Sequence, residues 1–331
     1  MIIAIKSIYL KKLTVFVFFL LSTAAFAQSD IFDHYYKIRK ADSLYELKKY
    51  KESYIAYKDA IQNNNKYIKQ NDIYNAACSA ALSGKTNDAF LHLSELANNV
   101  NYKYDNIEHL TDNPDFKILH QHSGWKKLLE LINTNKKETD KKLDIELIAI
   151  LDSIYDDDQN LRNQNREISD TYGYSSKEYI DLWDKIEIKD SINQIRVQNI
   201  LNNKGWLGAD IIGDRGNLTL FLVIQHSPLS IQKKYLPLMR RAVASGDAEP
   251  RNLALLEDRI SMRTNGTQIY GSQIKRKPKS KQYYLPTIID PENVDERRLK
   301  IGLGLISDYV KKWNIIWNIE DHKRESKKRL E

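Results

Sequence analysis

The residues best suited to chemistry lie in the second half of the 331-residue chain. His226 closes a strongly apolar segment, Leu218 to Ile224, so its ring is expected to be partly buried. A buried imidazole needs a partner for each nitrogen that requires one, and Asp258, Gln225 or the backbone could supply it. Held by a carboxylate, His226 would act as a general acid or base, with Arg259 or Arg162 steadying developing negative charge. That is a hydrolase or transferase built on His226, Asp258 and Arg259. The same groups would equally make a buried polar network that fixes helix packing. Asp158, Gln159, Arg162, Gln225, Gln268, Tyr270 and Gln273 complete the candidate set as ligand-binding groups. The glutamine amides and the Tyr270 hydroxyl are neutral hydrogen-bonding groups, suited to a sugar, a peptide amide or another polar ligand.

Familiar signatures of other chemistries are missing from the sequence. There is no H-E-x-x-H, no paired C-x-x-C, no G-x-S-x-G and no phosphate loop. Asp156-Asp157-Asp158 lacks the glycine and distal glutamate of a calcium loop. His120 and His122, two apart, sit about 200° around a helix and cannot share a metal. No metal or other cofactor is expected. A carboxylate pair such as Asp258 and Asp295 for glycoside hydrolysis stays open, because sequence does not give their separation.

Helices must position most of these groups. Leu143, Leu147, Leu151, Ile154 and Leu161 follow helical spacing and carry Asp158, Gln159 and Arg162 near the end of one helix. A second helix runs from about Ser176 to Asn203, stopped by Gly205. The run Leu218 to Ile224 is too short for periodicity to choose between strand and helix. Ile231 to Ala242 and Leu253 to Ile260 read as amphipathic helices closed by Gly246 and by Asn265-Gly266. Thr267 to Ile274 and Gln282 to Ile289, joined by the basic stretch Lys275 to Lys281, predict a β-hairpin with either a solvated tip or one that docks on anionic polymer. In regular strands Gln268 and Gln273 would face opposite sides unless Gly271 introduces a bulge. From Asp290-Pro291 onward a long helix is expected, with Val294, Ile301, Leu305, Tyr309 and Trp313 facing the core and Gly302-Leu303-Gly304 inside it.

The first half repeats. Ala41, Leu44, Lys48, Tyr50, Ser53, Tyr57 and Ala60 are followed, thirty-six residues on, by Ala77, Ala80, Gly84, Thr86, Ala89, Leu93 and Leu96 in the same roles. Over roughly 100 residues this resembles the tetratricopeptide family, in which paired helices lock through small and large residues at that spacing. It departs from the family at Lys48, where a turn glycine is usual, and in having no proline closing either repeat. Phe116, Leu119, Trp125, Leu128, Leu129 and Ile132 are expected to close the open end of the array. Such an array serves as a surface for a protein partner or as a spacer.

The extreme N-terminus reads as an export signal. Lys6, Lys11 and Lys12 precede an apolar run of about 15 residues, shorter than the ~20 of a spanning helix, and Ala25-Phe26-Ala27 has the small-x-small form of a cleavage site. Cleavage would lower the formal charge from +7 to +4, a mild excess that does not point to nucleic acid. The single cysteine, Cys78, has no partner for an intramolecular disulfide and sits among small residues as a compact hydrophobe.

Asp158-Gln159-x-x-Arg162, Asp190-x-x-Asn193, Gly205-Trp206, Gln225-His226, Asp258-Arg259, Gln268-x-Tyr270-Gly271-Ser272-Gln273 and Val294-Asp295-x-Arg297-Arg298 together resemble a bacterial domain of unknown function often found in exported proteins. The resemblance covers about residues 143 to 313 and implies no activity. Leu207 stands where that domain usually has proline, and Pro228 where an acidic residue commonly follows Gln-His. The sequence thus predicts an all-α protein carrying one small β-hairpin. Its parts are a signal peptide (1–27), tetratricopeptide-like repeats (28–134), a linker or solvated helix face taken as the domain boundary (135–142), a helical domain (143–318) and a charged tail (319–331). The leading expectation for function is recognition of a protein or polar envelope ligand in the periplasm or outside the cell. Catalysis through His226, Asp258 and Arg259 is the rival, and a purely structural scaffold the third reading.

Overall fold

The computed structural model describes residues 30–63, 65–277, 280 and 282–330; the expected signal peptide, and Pro278, Lys279 and Lys281 of the basic stretch, lie outside them. The chain divides into two units between Lys141 and Lys142. It is helical apart from one two-stranded antiparallel ladder among the described residues.

The first unit opens with α1 (residues 30–46), α2 (Tyr50–Asn63), α3 (Gln70–Leu82) and α4 (Thr86–Asn98). Its helices approach closely because small side chains fill the seams: Ala41, Ser53, Ala60, Ala76, Ala77, Ala80 and Ala89 are completely buried. Ser53 Oγ donates to the Ala41 carbonyl at 2.8 Å and meets Ser79 Oγ at 2.9 Å, so the polar atoms of this seam are satisfied. The two inter-helix turns share one hydrogen-bond pattern. Lys48 N–H and Lys49 N–H bond the carbonyls of Tyr45 and Leu44, and thirty-six residues later Gly84 N–H and Lys85 N–H bond those of Ala81 and Ala80. Lys48 accordingly takes a φ of 58° where its counterpart Gly84 has 79°. The unit continues through α5 (Ile107–Thr111), a 3-10 segment (Pro114–Gln121) and α6 (Trp125–Asp140), which bury Phe116, Leu119, Trp125, Leu128 and Ile132. Most of the segment expected to be a linker is therefore the last turns of α6. Cys78 lies in this core, and burial pushes its thiol far above the ordinary range, as suits an inert packing residue.

The second unit is built from α7 (Ile145–Asn163), α8 (Asn165–Tyr172), α9 (Lys177–Lys204), α10 (Ala209–His226, kinked at Gly213), α11 (Leu229–Ser245) and α12 (Pro250–Asn265). Helix α10 packs against α7, α9, α11 and α12. A helix surrounded on several sides must be apolar around most of its circumference, which is why Leu218–Ile224 shows no helical periodicity yet is helical. Leu151, Ile154, Val197, Ile212, Leu220, Ile224, Met239 and Leu256 form the fully buried centre.

Beyond α12 the chain is irregular. The ladder consists only of β1 (Lys275–Arg276) and β2 (Tyr283–Tyr284), with a single parallel bridge between Gln268 and Ile288. The expected hairpin is thus displaced into the basic stretch and much shortened. Beyond Gln268, the segment 269–273 does not pair as a strand because side chains occupy its backbone groups. The expected long C-terminal helix is also broken. A 3-10 turn (Pro291–Asn293), α13 (Val294–Lys300), α14 (Ile306–Val310) and a second 3-10 turn (Lys311–Trp313) replace it. Gly302, at φ 78°, reverses the chain between α13 and α14, so Gly302-Leu303-Gly304 forms a turn.

The segment set apart as a charged tail is helix α15 (Ile319–Leu330), in which His322 and Ser326 are buried. His322 Nε2 accepts the Ile288 N–H at 3.2 Å and so must be unprotonated there. Burial, with Arg329 nearby, lowers its pKa from 6.5 to about 4. Because the folded value lies below the unfolded one, this contribution to stability is complete above pH 6.5 and fades as pH falls through 4. Acidification from pH 7 to 4 is expected to remove roughly 3 kcal/mol that His322→Gln does not lose, measured by urea denaturation of both proteins across that range. Parallel losses in the two proteins would refute the assignment. No helix among the described residues is long and apolar enough to cross a membrane.

Candidate functional site

Helix α7 delivers Asp158 to the end of α10. Asp158 is 1% exposed, and its Oδ1 lies 3.0 Å from His226 Nδ1 while its Oδ2 accepts the Gln159 amide at 2.7 Å. One turn on, Arg162 donates to the Asp158 carbonyl at 3.2 Å and places its Nη1 3.9 Å from Oδ1. Its Nη2 meets both oxygens of Asp190 on α9, at 2.9 and 2.7 Å. Burial opposes ionisation of Asp158, but the His226 ring, Arg162 and the Gln159 amide outweigh it and hold the carboxyl below its ordinary range. An ionised carboxylate can only accept, so His226 Nδ1 carries a proton, and in the neutral form of the ring the remaining lone pair is on Nε2. Nε2 makes no hydrogen bond among the described residues.

His226 lines an open cleft of about 420 Å³ with Gln225, Arg259, Ser272, Gln273, Tyr309 and Trp313. Arg259 donates to the Gln225 carbonyl at 2.9 Å and forms no ion pair among the described residues. Burial, reinforced by Arg263 and Arg162, pushes its pKa down to about 10, so it remains a cation at neutral pH. Gln225 Oε1 is buried in the cleft wall with no partner among the described residues. The cleft thus presents a proton acceptor, an uncompensated cation and neutral amides.

Asp258 does not join them. It is completely buried, and its carboxylate accepts three backbone N–H groups: Ile269 at 2.6 Å and Tyr270 at 2.9 Å on Oδ1, and Ser272 at 2.8 Å on Oδ2. The expected pairing of His226 with Asp258 is therefore replaced by His226 with Asp158, sixty-eight positions away. Gln268 is also fully buried, and its amide brackets Gln273, accepting from the backbone N–H at 2.8 Å and donating to the carbonyl at 3.2 Å. The loop carbonyls are satisfied from the other side. Arg297 Nη2 bonds Ile269 O at 3.0 Å, Arg298 Nη1 bonds Tyr270 O at 2.7 Å and Tyr309 Oη bonds Ser272 O at 2.6 Å. The strand-parity question for Gln268 and Gln273 dissolves in a loop. Gly271, at φ 70°, has no room for a Cβ, which would meet Ile288 Cδ1 and Ile306 Cδ1 at 2.8 Å each.

Of the ten candidates, His226, Arg259, Gln225 and Gln273 face one cleft. Asp158, Gln159 and Arg162 stand behind His226, while Asp258 and Gln268 fasten the loop that forms a wall. Tyr270 reaches Glu257 at 3.5 Å and is not a cleft residue. Ser272, Tyr309 and Trp313 were missed as site residues, and only the adjacency of Ser272 to Gln273 pointed to any of them.

A family model described as a family of unknown function (DUF6624) matches residues 142–320. No curated protein and no solved structure matches the chain.

Proposed function

We propose, on the premise that the chain belongs to the family of unknown function DUF6624, that its second unit is an acid–base site for a small polar group carrying negative charge. Asp158 holds His226 in the tautomer that turns a basic Nε2 toward ligand, and Arg259 meets the charge. The observation that carries this reading is the His226–Asp158 contact at 3.0 Å at the wall of a cleft whose cation has no carboxylate partner among the described residues. The chemistry that suits it is proton abstraction from a water or hydroxyl, with Arg259 steadying the oxyanion, as in a hydrolase or transferase. In the same reading the first unit is a tetratricopeptide-like scaffold that presents the domain to a protein partner, and residues 1–27 export the protein. The thirty-six-residue recurrence of turn hydrogen bonds supports the first part.

The test is anion binding. Phosphate and acetate titrated into the protein should shift the His226 side-chain resonances with millimolar or better affinity, and Arg259→Gln should weaken that binding at least tenfold. Equal affinity in the two proteins would sink the proposal.

A further inference from the structure

Trp313 and Tyr283, which line the His226 cleft, also line a larger trough of about 900 Å³, bounded by Gln282, Tyr284, Asn314, Trp317 and helix α15. The trough thus lies next to the cleft, with two aromatic side chains common to both linings.

The chemistry of the trough defines what fits it. Trp313 and Trp317 flank the turn made by Asn314, and both are half-exposed. Trp313 lies against Tyr309 at 4.8 Å between ring centroids with planes tilted by 59°, and Trp317 against His322 at 5.0 Å and 48°. Tyr283 is 44% exposed beside them. The side-chain amides of Gln282 and Asn314 make no hydrogen bond among the described residues, which leaves donors and acceptors beside the rings. Among the described lining residues Lys277 and Arg329 are set against Asp321 and Glu325. Rigid aromatic faces interleaved with neutral amides complement linked pyranose rings, which offer apolar C–H faces and equatorial hydroxyls. A peptide bound by strand addition would call for an open edge, and the two-residue β2 offers little.

We infer that the trough holds a linear, uncharged glycan chain beside the His226 cleft. This rests on the acid–base reading for its outcome but not for binding. Chitohexaose and cellohexaose titrated into the full chain should change tryptophan fluorescence with micromolar to millimolar affinity for at least one of them. Trp313→Ala should weaken that binding at least tenfold. Gln282→Ala, an exposed change that leaves the fold alone, should weaken it severalfold. Binding of neither hexasaccharide overturns the inference, as does binding that Trp313→Ala and Gln282→Ala both leave untouched, or preference for a proline-rich decapeptide. Phosphate binding at Arg259 is scored separately. If it persists while the glycans fail, the trough inference falls and the acid–base reading stands; the reverse result removes the acid–base reading and leaves the trough.

Discussion

Asp258→Ala is expected to destabilise the second unit by about 3–5 kcal/mol, enough to consume much of the stability of a domain this size. The carboxylate is completely buried and accepts three loop N–H groups, so its removal strands those donors inside the fold. Asp258→Asn keeps the shape but replaces an acceptor by a donor, so it should cost nearly as much. Urea denaturation followed by circular dichroism measures both, with an unchanged slope and a lowered midpoint as the signature. A loss below 1 kcal/mol for the alanine variant would show that the loop finds other partners. The second unit's cleft should widen or vanish before the rest unfolds, because this loop carries Ser272 and Gln273 into it.

Asp158→Asn is expected to act in the opposite manner, leaving the fold in place and removing turnover by about 10²–10⁴-fold. The asparagine can present its N–H₂ or its carbonyl to His226, so Nδ1 loses its obligatory acceptor and the basic lone pair no longer faces the cleft by necessity. Nitrogen chemical shifts of the imidazole report this directly and need no substrate: the wild type should show Nδ1–H, the variant a mixture. On a converted substrate, kcat should fall far more than KM rises. His226→Ala separates the three readings of the site. A fall in rate by orders of magnitude with stability retained marks catalysis, a modest loss of ligand affinity without turnover marks recognition, and a loss of stability alone marks a structural network.

How far these features were visible in the sequence depends on which residues carry the signal. Helices α7, α9, α11 and α12 follow apolar spacing, and the last three stop at Gly205, Gly246 and Gly266, where local rules suffice. Helix α10 gave no period because neighbours cover most of its surface. The C-terminal region misled because its apolar positions fit one helix while Gly302 reverses the chain and the buried Arg298 bonds the Gly304 carbonyl at 2.7 Å. For the site, residue types were readable and pairings were not. Asp258, Gln225 or backbone reads as the partner of His226 until α7 lays Asp158 beside the end of α10, and that placement is decided by core packing. The role of Asp258 was hidden for the same reason. A carboxylate next to an arginine suggests chemistry, whereas here it holds backbone donors eleven to fourteen residues ahead.

The way the 268–273 loop is held has a consequence for how this protein can diversify. Asp258, Arg297, Arg298, Gln268 and Tyr309 grip the peptide groups of the loop, and at Gly271 a Cβ would meet Ile288 and Ile306. Side chains at 272 and 273 are therefore mounted on a rigid frame that does not depend on their identity. Evolution, or a library that randomises those two positions, can recut one wall of the cleft for a new ligand while the frame and the His226–Asp158 pair opposite stay where they are.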